Sequence, residues 1–170
     1  MELVNYKLRL LEKKDAFSFF QLVESNRARL EDFIAGILSR TKNLSDTEVY
    51  IEEAIQKRES KSYFPYVLIN NDNNELIGFF DVKNIDWNIP KAEIGFFIDK
   101  KYTGKGLASK YLNLVSNDYF DNLGFKKLLL RIHHDNSQSV KVAVNCGFVK
   151  EGNIRNDYKK TNGILVDMVY

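Results

Sequence analysis

The sequence is poor in the residues that build disulfides and metal centres. Among its 170 residues it has one cysteine, Cys146, and two histidines, His133 and His134. One cysteine excludes an internal disulfide and fits a reducing compartment. No apolar run approaches the length of a membrane-spanning helix, and the opening Met-Glu-Leu-Val-Asn-Tyr-Lys has no apolar signal core. We therefore expect a cytoplasmic protein that does not contact a membrane.

A strong charge of one sign is also missing. The 25 lysines and arginines nearly balance 23 aspartates and glutamates, and both signs are mixed along the chain, so the net charge is only +2. This leaves no basic face for nucleic acid, and we expect no direct nucleic-acid partner. The two histidines are adjacent at the end of a predicted strand, where neighbouring side chains point to opposite faces. We therefore expect no metal site.

The chain does have enough apolar material for a domain. A composition of 44% hydrophobic and 28% charged residues is typical of globular proteins, and this length is sufficient to bury a real core. No internal repeat, low-complexity tract or linker divides the sequence. We predict a single domain over residues 1–170.

The first third is predicted as one strand followed by three helices. Apolar and polar residues alternate over 6–10, which favours a strand with one buried face. Asp15 is the expected N-cap of the first helix, and the second is expected to begin within 26–34. Ser45 and Glu48 form a capping-box pattern at the start of the third helix. The residues behind this pattern that fall at helical spacing are Tyr50, Ile51, Ala54, Ile55 and Arg58.

The middle of the chain is predicted to be rich in strands. Residues 64–69 and 76–82 flank a turn composed of asparagine and acidic residues, which indicates an antiparallel hairpin. Residues 83–91 are predicted to form a loop, and 92–99 form the next strand.

Two further helices and three strands complete the prediction. A helix is expected from Leu107 until Gly124, which can end it. The later elements are a strand over 127–133, a helix that turns Val140, Ala143 and Val144 inward and ends at Gly147, and strands over 148–154 and 164–170 joined at Asn162-Gly163. Together the elements predict a mixed α/β sheet with helices on both faces.

The most informative stretch runs from Ala92 to Ser109 and reads AEIGFFIDKKYTGKGLAS. A strand that leads through a glycine turn into a helix N-terminus leaves several amide donors unpaired, and these can bind an anion such as pyrophosphate. A dinucleotide fingerprint needs Gly or Ala where Ser109 stands, and a P-loop needs Ser or Thr where Gly106 stands. Neither motif fits, and for the glycines alone a structural tight turn remains the alternative.

This stretch resembles the acetyl-CoA site of the GCN5-related N-acetyltransferase (GNAT) superfamily. The family motif is Gln/Arg-x-x-Gly-x-Gly/Ala, and here it reads Lys101-x-x-Gly104-x-Gly106. The lysine departs from the pattern, so we expect altered contacts near the phosphates with binding retained. The resemblance implies the GNAT fold, an α/β (α+β) architecture with a mixed, mostly antiparallel central sheet of about six to seven strands flanked by helices.

Other segments extend the resemblance over nearly the whole chain. Residues 136–139, Asn-Ser-Gln-Ser, and the Cys-Gly-Phe at 146–148 are similar to the family segment beside the pantetheine arm. Residues 151–155 resemble the closing hairpin of the RimJ/RimL-type ribosomal-protein N-terminal acetyltransferases. Further positions that match this branch are Gly163, Asp167, Asn26, Arg29 and Leu30, with Phe33 where a Trp is common.

The resemblance implies acetyl-CoA as the cosubstrate and no metal. Amides from Thr103 to Ala108 are expected to bind the pyrophosphate, helped by the dipole of the helix that follows. Main-chain groups of Phe97 and Ile98 are expected to pair with the pantetheine amides. The full set of expected cofactor-binding residues is Phe97, Ile98, Thr103, Gly104, Lys105, Gly106, Leu107, Ala108, Ser109, Asn136 and Lys141.

Two residues are candidates for proton transfer. Glu93 is the acid in an otherwise apolar strand beside the turn, which makes it the candidate base, acting through water. Its alternative role is a solvated residue paired with Lys91. Ser139 is the candidate acid for the departing thiolate, and its alternative role is a helix-start hydroxyl. Cys146 could suggest an acetyl-enzyme, but buried packing is the favoured interpretation.

The expected activity is acetyl transfer from acetyl-CoA to a primary amine. The preferred acceptor is the N-terminal α-amine of a ribosomal or other protein, as in the RimL-like branch. Alternatives are a small amine such as a polyamine, an amino acid or an antibiotic, and a non-catalytic acyl-CoA-binding module on the same fold. A homodimer is compatible with the resemblance, although no segment of the sequence defines an interface.

Overall fold

The computed structural model describes the backbone of residues 2–3 and 5–170 and the side chains from residue 5 onward. Its strands are β1 (Glu2–Leu3), β2 (Tyr6–Leu10), β3 (Phe64–Asn70), β4 (Leu76–Asp86), β5 (Lys91–Ile98), β6 (Lys127–Leu129), β7 (Ile132–His133), β8 (Asn153–Lys159) and β9 (Leu165–Val169). Its helices are α1 (Ala16–Leu30), α2 (Ala35–Ser39), α3 (Leu44–Glu59), α4 (Leu107–Asp121) and α5 (Ser137–Asn145). Within this described part, no helix combines the length and apolarity needed to cross a bilayer.

The strands form two sheets. The larger sheet has six strands in the order β1-β2-β3-β4-β5-β6, and the smaller has three in the order β7-β9-β8. Neighbours in the larger sheet are antiparallel except β5 and β6, which are parallel. The predicted α/β fold with a mostly antiparallel central sheet is therefore confirmed.

Side-chain alternation in the central strands gives the larger sheet two buried faces. Phe79 of β4 packs against Phe19 of α1, with ring centroids 5.1 Å apart. The next residue, Phe80, points the other way and packs near Tyr111 of α4, at 6.4 Å. Because both faces are covered by helices, the central strands read as nearly continuous apolar runs.

Helix boundaries in the first third differ from the prediction because local side-chain hydrogen bonds decide them. α1 continues through Asn26, which is buried and donates its side-chain amide to the Leu22 carbonyl at 2.9 Å, so no second helix begins there. α3 is capped by Asn43, whose side chain accepts from the Asp46 amide at 2.8 Å, and the predicted capping residue Ser45 lies inside the helix. Asp15 does hold the N-cap position of α1, but its carboxylate binds Arg9 instead of capping.

The second half departs from the prediction mainly where one strand becomes two. The predicted strand 127–133 breaks after Leu129, so that β6 joins the larger sheet and β7 joins the smaller one. The predicted loop 83–91 is shorter because β4 continues to Asp86. In α5, Ala143 is buried as expected, but Val144 is 64% exposed and not inward.

The closing hairpin lies later in the chain than predicted. Its first strand, β8, covers Asn153–Lys159 and not 148–154. The predicted turn at Asn162-Gly163 is present, and Gly163 has a φ of +86° there.

Candidate active site

A cleft of about 1100 Å³ opens along the free side of β5. Its lining comes from β5, the glycine turn, and the N-terminal turns of α4 and α5. On the opposite side of the sheet it extends to α2, α3 and the strands of the smaller sheet. Of the thirteen predicted catalytic and cofactor-binding residues, all line this one cleft except Lys105.

The cleft exists because β5 and β6 pair over only a short distance. Their parallel register covers Lys91–Glu93 opposite Lys127–Leu129, and β6 then ends. The Asp99 amide donates to the Ile77 carbonyl at 2.8 Å. By the alternation of an antiparallel ladder, odd-numbered residues of β5 thus direct their main-chain groups to β4, and even-numbered residues direct theirs to the gap.

This register corrects one predicted contact. Phe97 pairs with Phe79, so its main-chain groups face β4 and its side chain is buried. Phe96 and Ile98 are the residues whose main-chain groups face the gap. The Ile98 carbonyl already accepts from Arg29 of α1 at 2.6 Å. The groups that remain for an extended ligand are therefore the main chain of Phe96 and the amide of Ile98.

The glycine turn has the geometry of an anion cradle. Gly104 and Gly106 have φ of +77° and +73°, in the left-handed region that favours glycine. Gly106 is the N-cap of α4, and the first amide with a helical partner is that of Lys110, which donates to the Gly106 carbonyl at 3.0 Å. The amides of Leu107, Ala108 and Ser109 are thus free to bind a ligand.

Thr103 differs from the prediction, and the side chain of Lys105 has a partner within the protein. The amide and the hydroxyl of Thr103 both donate to the Lys100 carbonyl, at 3.5 and 2.9 Å, so the free amides begin after Thr103. The Lys105 ammonium lies 4.7 Å from the ring centroid of Tyr102, a cation–π contact, and Lys105 itself does not line the cleft.

A second helix N-terminus also meets the cleft. The side chain of Asn136 caps α5 by accepting from the Ser139 amide at 3.1 Å. Among the described residues nothing hydrogen-bonds the Ser139 hydroxyl, which leaves it available on the cleft wall. Lys141, one turn into the helix, is exposed at the same wall.

Cys146 does not lie in this cleft. Its thiol donates to the Ser109 carbonyl at 3.3 Å and so links α5 to α4. Burial raises the pKa of the Cys146 thiol, and the hydrogen bond to Ser109 offsets only part of that increase. A thiol in this setting is a poor nucleophile, in agreement with the packing role.

The two histidines lie on the same side of the chain, contrary to the prediction. Their rings stack with centroids 4.7 Å apart, because β7 ends at His133 and strand alternation stops there. His133 is buried and accepts from the Asp135 amide at 3.1 Å. Burial is the main cause that lowers the pKa of His133.

Glu93 lies on the side of the cleft where the sheet faces α2 and α3. It is buried, and it accepts a hydrogen bond from the Asn84 side-chain amide at 2.8 Å. Lys83 and Arg131 place cationic nitrogens 3.7 and 3.8 Å from its carboxylate. The alternative of a solvated residue paired with Lys91 is therefore wrong.

A second buried carboxylate, which the sequence analysis missed, lies next to Glu93. Asp81 is 4% exposed, accepts from the Tyr63 hydroxyl at 3.1 Å and lies 3.4 Å from the Lys83 ammonium. Gly95 faces it across the strands, and a Cβ on that glycine would lie 2.3 Å from an Asp81 carboxylate oxygen. An aspartate inside the apolar run Phe-Phe-Asp-Val, with a glycine in the next strand, was the signal for this group.

A network of ion pairs and hydrogen bonds extends from Glu93 through Arg131 to the smaller sheet. The Arg131 guanidinium donates to the Asp157 carboxylate, at 2.9 Å from one nitrogen and 3.1 Å from another. The Tyr170 hydroxyl donates to the same carboxylate at 2.8 Å. Burial, followed by this hydrogen bond, raises the pKa of Tyr170 to about 12. Arg131 thus connects Glu93 to the β8–β9 hairpin.

The site therefore combines an anion cradle, an open strand edge and a buried carboxylate. The sequence profile described as "Acetyltransferase (GNAT) domain" matches residues 6–149, which is most of the chain. The chain belongs to this family. It is an acyltransferase enzyme, as the resemblance implied.

Several GNAT proteins are similar to this chain over most of its length. A putative ribosomal N-acetyltransferase, YdaF of Bacillus subtilis, is 29% identical over 169 residues, covering 96% of this chain and 87% of YdaF. A spermidine N(1)-acetyltransferase of Escherichia coli is 24% identical over 153 residues, covering 89% and 77%. The solved structure of RimL, a ribosomal L7/L12 α-N-protein acetyltransferase in complex with coenzyme A, has a TM-score of 0.90 at 21% identity, covering 98% and 92%. At that identity the RimL structure supports the fold alone.

Proposed function

We propose that this GNAT enzyme transfers acetyl from acetyl-CoA to the α-amine of a protein or peptide N-terminus. One observation carries the proposal: a single cleft joins the free amides at the start of α4 to the buried carboxylate of Glu93. The first feature suits a pyrophosphate and the second suits the proton of an attacking amine.

The cofactor side of the cleft would hold acetyl-CoA mainly through main-chain groups. The amides of residues 104–109 would bind the pyrophosphate, and a Cβ added at Gly104 or Gly106 would meet no protein atom within 4 Å, so a ligand has room there. The main chain of Phe96 and Ile98 would pair with the pantetheine amides as an added strand does. Asn136 and Lys141 remain proposed contacts on the α5 side, and Lys105 is proposed to contribute its main-chain amide.

The reaction requires one proton to leave the amine and one to reach the thiolate. The amine nitrogen forms a bond to the acetyl carbon as the bond from that carbon to sulfur breaks. Glu93, through a water molecule, would accept the proton of the amine. The Ser139 hydroxyl, at the N-terminal turn of α5, would donate a proton to the sulfur of CoA.

The chemistry of the acceptor favours an α-amine. Its pKa is about 7.7–8.0, whereas that of a lysine or polyamine amine is about 10.4. The difference of roughly 2.5 units corresponds to about 3.4 kcal/mol of additional deprotonation work. A carboxylate acting through water is a modest base, and it suits the easier acceptor. The similarity to YdaF supports this choice, and the similarity to the spermidine enzyme supports a polyamine as the alternative.

The proposal is tested by incubating the enzyme with labelled acetyl-CoA and a panel of amines. The panel contains peptides with free and with blocked N-termini, spermidine and free amino acids. We expect release of CoA thiol and label on the α-nitrogen of the free peptides, located by mass spectrometry. Label on lysine side chains or on spermidine alone would overturn the acceptor assignment. A non-catalytic module would show thermal stabilisation by CoA and no thiol release with any amine.

A further inference from the structure

The cleft carries an excess of positive charge along its lining. Among the described residues, its lining contains only two carboxylates, those of Asp81 and Glu93. The cationic residues that line the cleft are Arg29, Arg40, Lys57, Lys83, Arg131 and Lys141. Glu53 and Asp157 pair with two of these cations from outside the cleft, and the cations still exceed the carboxylates by two when both are included.

Lys83 lies between the two carboxylates. It follows Asp81 by two residues in β4, so both side chains are on one face, and it pairs with Glu93 across to β5. Its ammonium is 3.4 Å from Asp81 and 3.7 Å from Glu93. Burial lowers the pKa of Lys83, but the attraction of Asp81 and then of Glu93 outweighs burial, and the net pKa lies above its usual value. Lys83 is therefore a permanent cation beside the proposed base.

The tyrosines around this group add no negative charge. Burial raises the pKa of Tyr50, and it raises that of Tyr63 well above its ordinary value. The two hydroxyls hydrogen-bond to each other at 2.7 Å, and Tyr63 also donates to Asp81. The side-chain ammonium of Lys83 thus compensates the carboxylates that an incoming polycation would need.

We propose that Lys83 determines acceptor specificity by occupying the position between Asp81 and Glu93 where the second ammonium of a polyamine would bind. The cleft then accepts amines that carry one positive charge and disfavours polycations, because like charges at close range repel strongly in a partly buried site. This inference rests on the proposed function, since it assumes that the amine to be acetylated approaches Glu93. It deepens that function by separating the two acceptor classes found among the relatives.

A series of substitutions that change the charge of Asp81 and Lys83 tests the proposal. The measured quantity is the ratio of kcat/KM for spermidine to kcat/KM for a peptide that has a free N-terminal serine and no charged side chain. Lys83→Gln removes the ammonium and keeps a donor for Asp81, and we expect the ratio to rise at least tenfold. Asp81→Asn leaves Lys83 without its main partner, and we expect the ratio to fall. The double variant, in which the net charge of the pair is unchanged, should return towards the wild-type ratio.

Matched controls separate specificity from folding. Lys126→Gln removes an exposed lysine outside the cleft and should leave the ratio unchanged. Lys83→Arg keeps the charge and should also keep the ratio. Should Lys83→Gln fail to fold, Asp81→Asn and the double variant still test the same claim. Equal losses for spermidine and peptide in every variant would show a structural role only and overturn the proposal.

A binding measurement keeps this inference distinct from the proposed function. Calorimetry of spermidine with the CoA-bound protein should give tighter binding to Lys83→Gln than to the wild type, by the same factor or more. If no amine is acetylated but this ranking is found, the proposed function fails, and what stands is that Lys83 excludes polyamines from the cleft. If acetylation of peptides is found but Lys83→Gln binds spermidine no better, the proposed function stands and the role of Lys83 is wrong.

Discussion

The substitution Gly95→Ala distinguishes two opposite expectations about stability. Alanine in a strand is normally favoured over glycine by roughly 0.5–1 kcal/mol, because glycine loses more conformational freedom on folding. At this position, however, the new Cβ would lie 2.3 Å from an Asp81 oxygen and 2.9 Å from the Lys83 nitrogen. Neither distance is compatible with van der Waals contact, so the buried ion pair has to move.

The magnitude follows from what that movement breaks. Overpacking of a well-packed interior costs about 1–3 kcal/mol. Displacing the carboxylate also weakens its hydrogen bond with Tyr63, and a hydrogen bond to a charged group contributes about 1.5–3 kcal/mol. After subtraction of the glycine entropy gain, we expect a net destabilisation of about 1.5–5.5 kcal/mol. For a protein of this size that lowers Tm by about 3–22 °C.

The assay is urea unfolding followed by circular dichroism, with two reference variants. Gly36→Ala places a methyl in α2 where no atom lies within 4 Å, so it should be stabilising. In an Asp81→Ala background the obstructing carboxylate is absent, so Gly95→Ala should cost less there than in the wild type. If Gly95→Ala proves as stable as the wild type or more stable, the proposed steric role of this glycine is refuted.

Three further results are expected. Glu93→Gln should lower the rate most near neutral pH and less at high pH, where the acceptor amine is already neutral, so an unaltered pH profile of kcat/KM would remove Glu93 from the role of base. Gly106→Ala should weaken CoA binding, measured by calorimetry, and should cost about 1–2 kcal/mol of stability, because a φ of +73° disfavours a residue with a Cβ. If its affinity for CoA equals that of Gly152→Ala, the proposed binding of the pyrophosphate at this turn is wrong. Burial lowers the pKa of His133 in the folded state, whereas a histidine in the unfolded chain has a pKa of about 6.5. The unfolded state therefore binds a proton at His133 more readily than the folded state. The free energy of unfolding should consequently fall as the pH drops below 6.5. His133→Gln should flatten this decline in urea unfolding between pH 5 and 7, and an identical slope would exclude His133 as its source.

The sequence predicted best what depends on local patterns. The turn at Gly104 and Gly106 requires a left-handed backbone, which glycine signals directly, and its position before an amphipathic helix predicted the free amides. Helix starts were predicted less well because several residue types can cap, and only the structure shows that Asn43 caps α3 while Asp15 binds Arg9.

The charged groups around Glu93 could not be predicted from local patterns, because they come from different strands and meet only in the folded sheet. Asp81 and Gly95 are neighbours only through the register of β4 and β5. Arg131 reaches Glu93 only because the chain leaves the larger sheet after Leu129. The spacing of these residues along the sequence does not reveal either contact, because each contact depends on which strands pair and in what register.

The alternation of β5 explains how one strand serves both sides of the cleft. Its odd-numbered side chains, Glu93 and Phe97, face α1–α3, whereas Ile94 and Ile98 pack in the core beneath α4. Its even-numbered main-chain groups face the gap left by β6. The same two-residue period therefore turns the Glu93 carboxylate towards α1–α3 and leaves the main chain of Phe96 and the Ile98 amide at the open gap. A one-residue slip of β5 would exchange both sets at once, so the register of this strand links the proposed cofactor contacts to the proposed base.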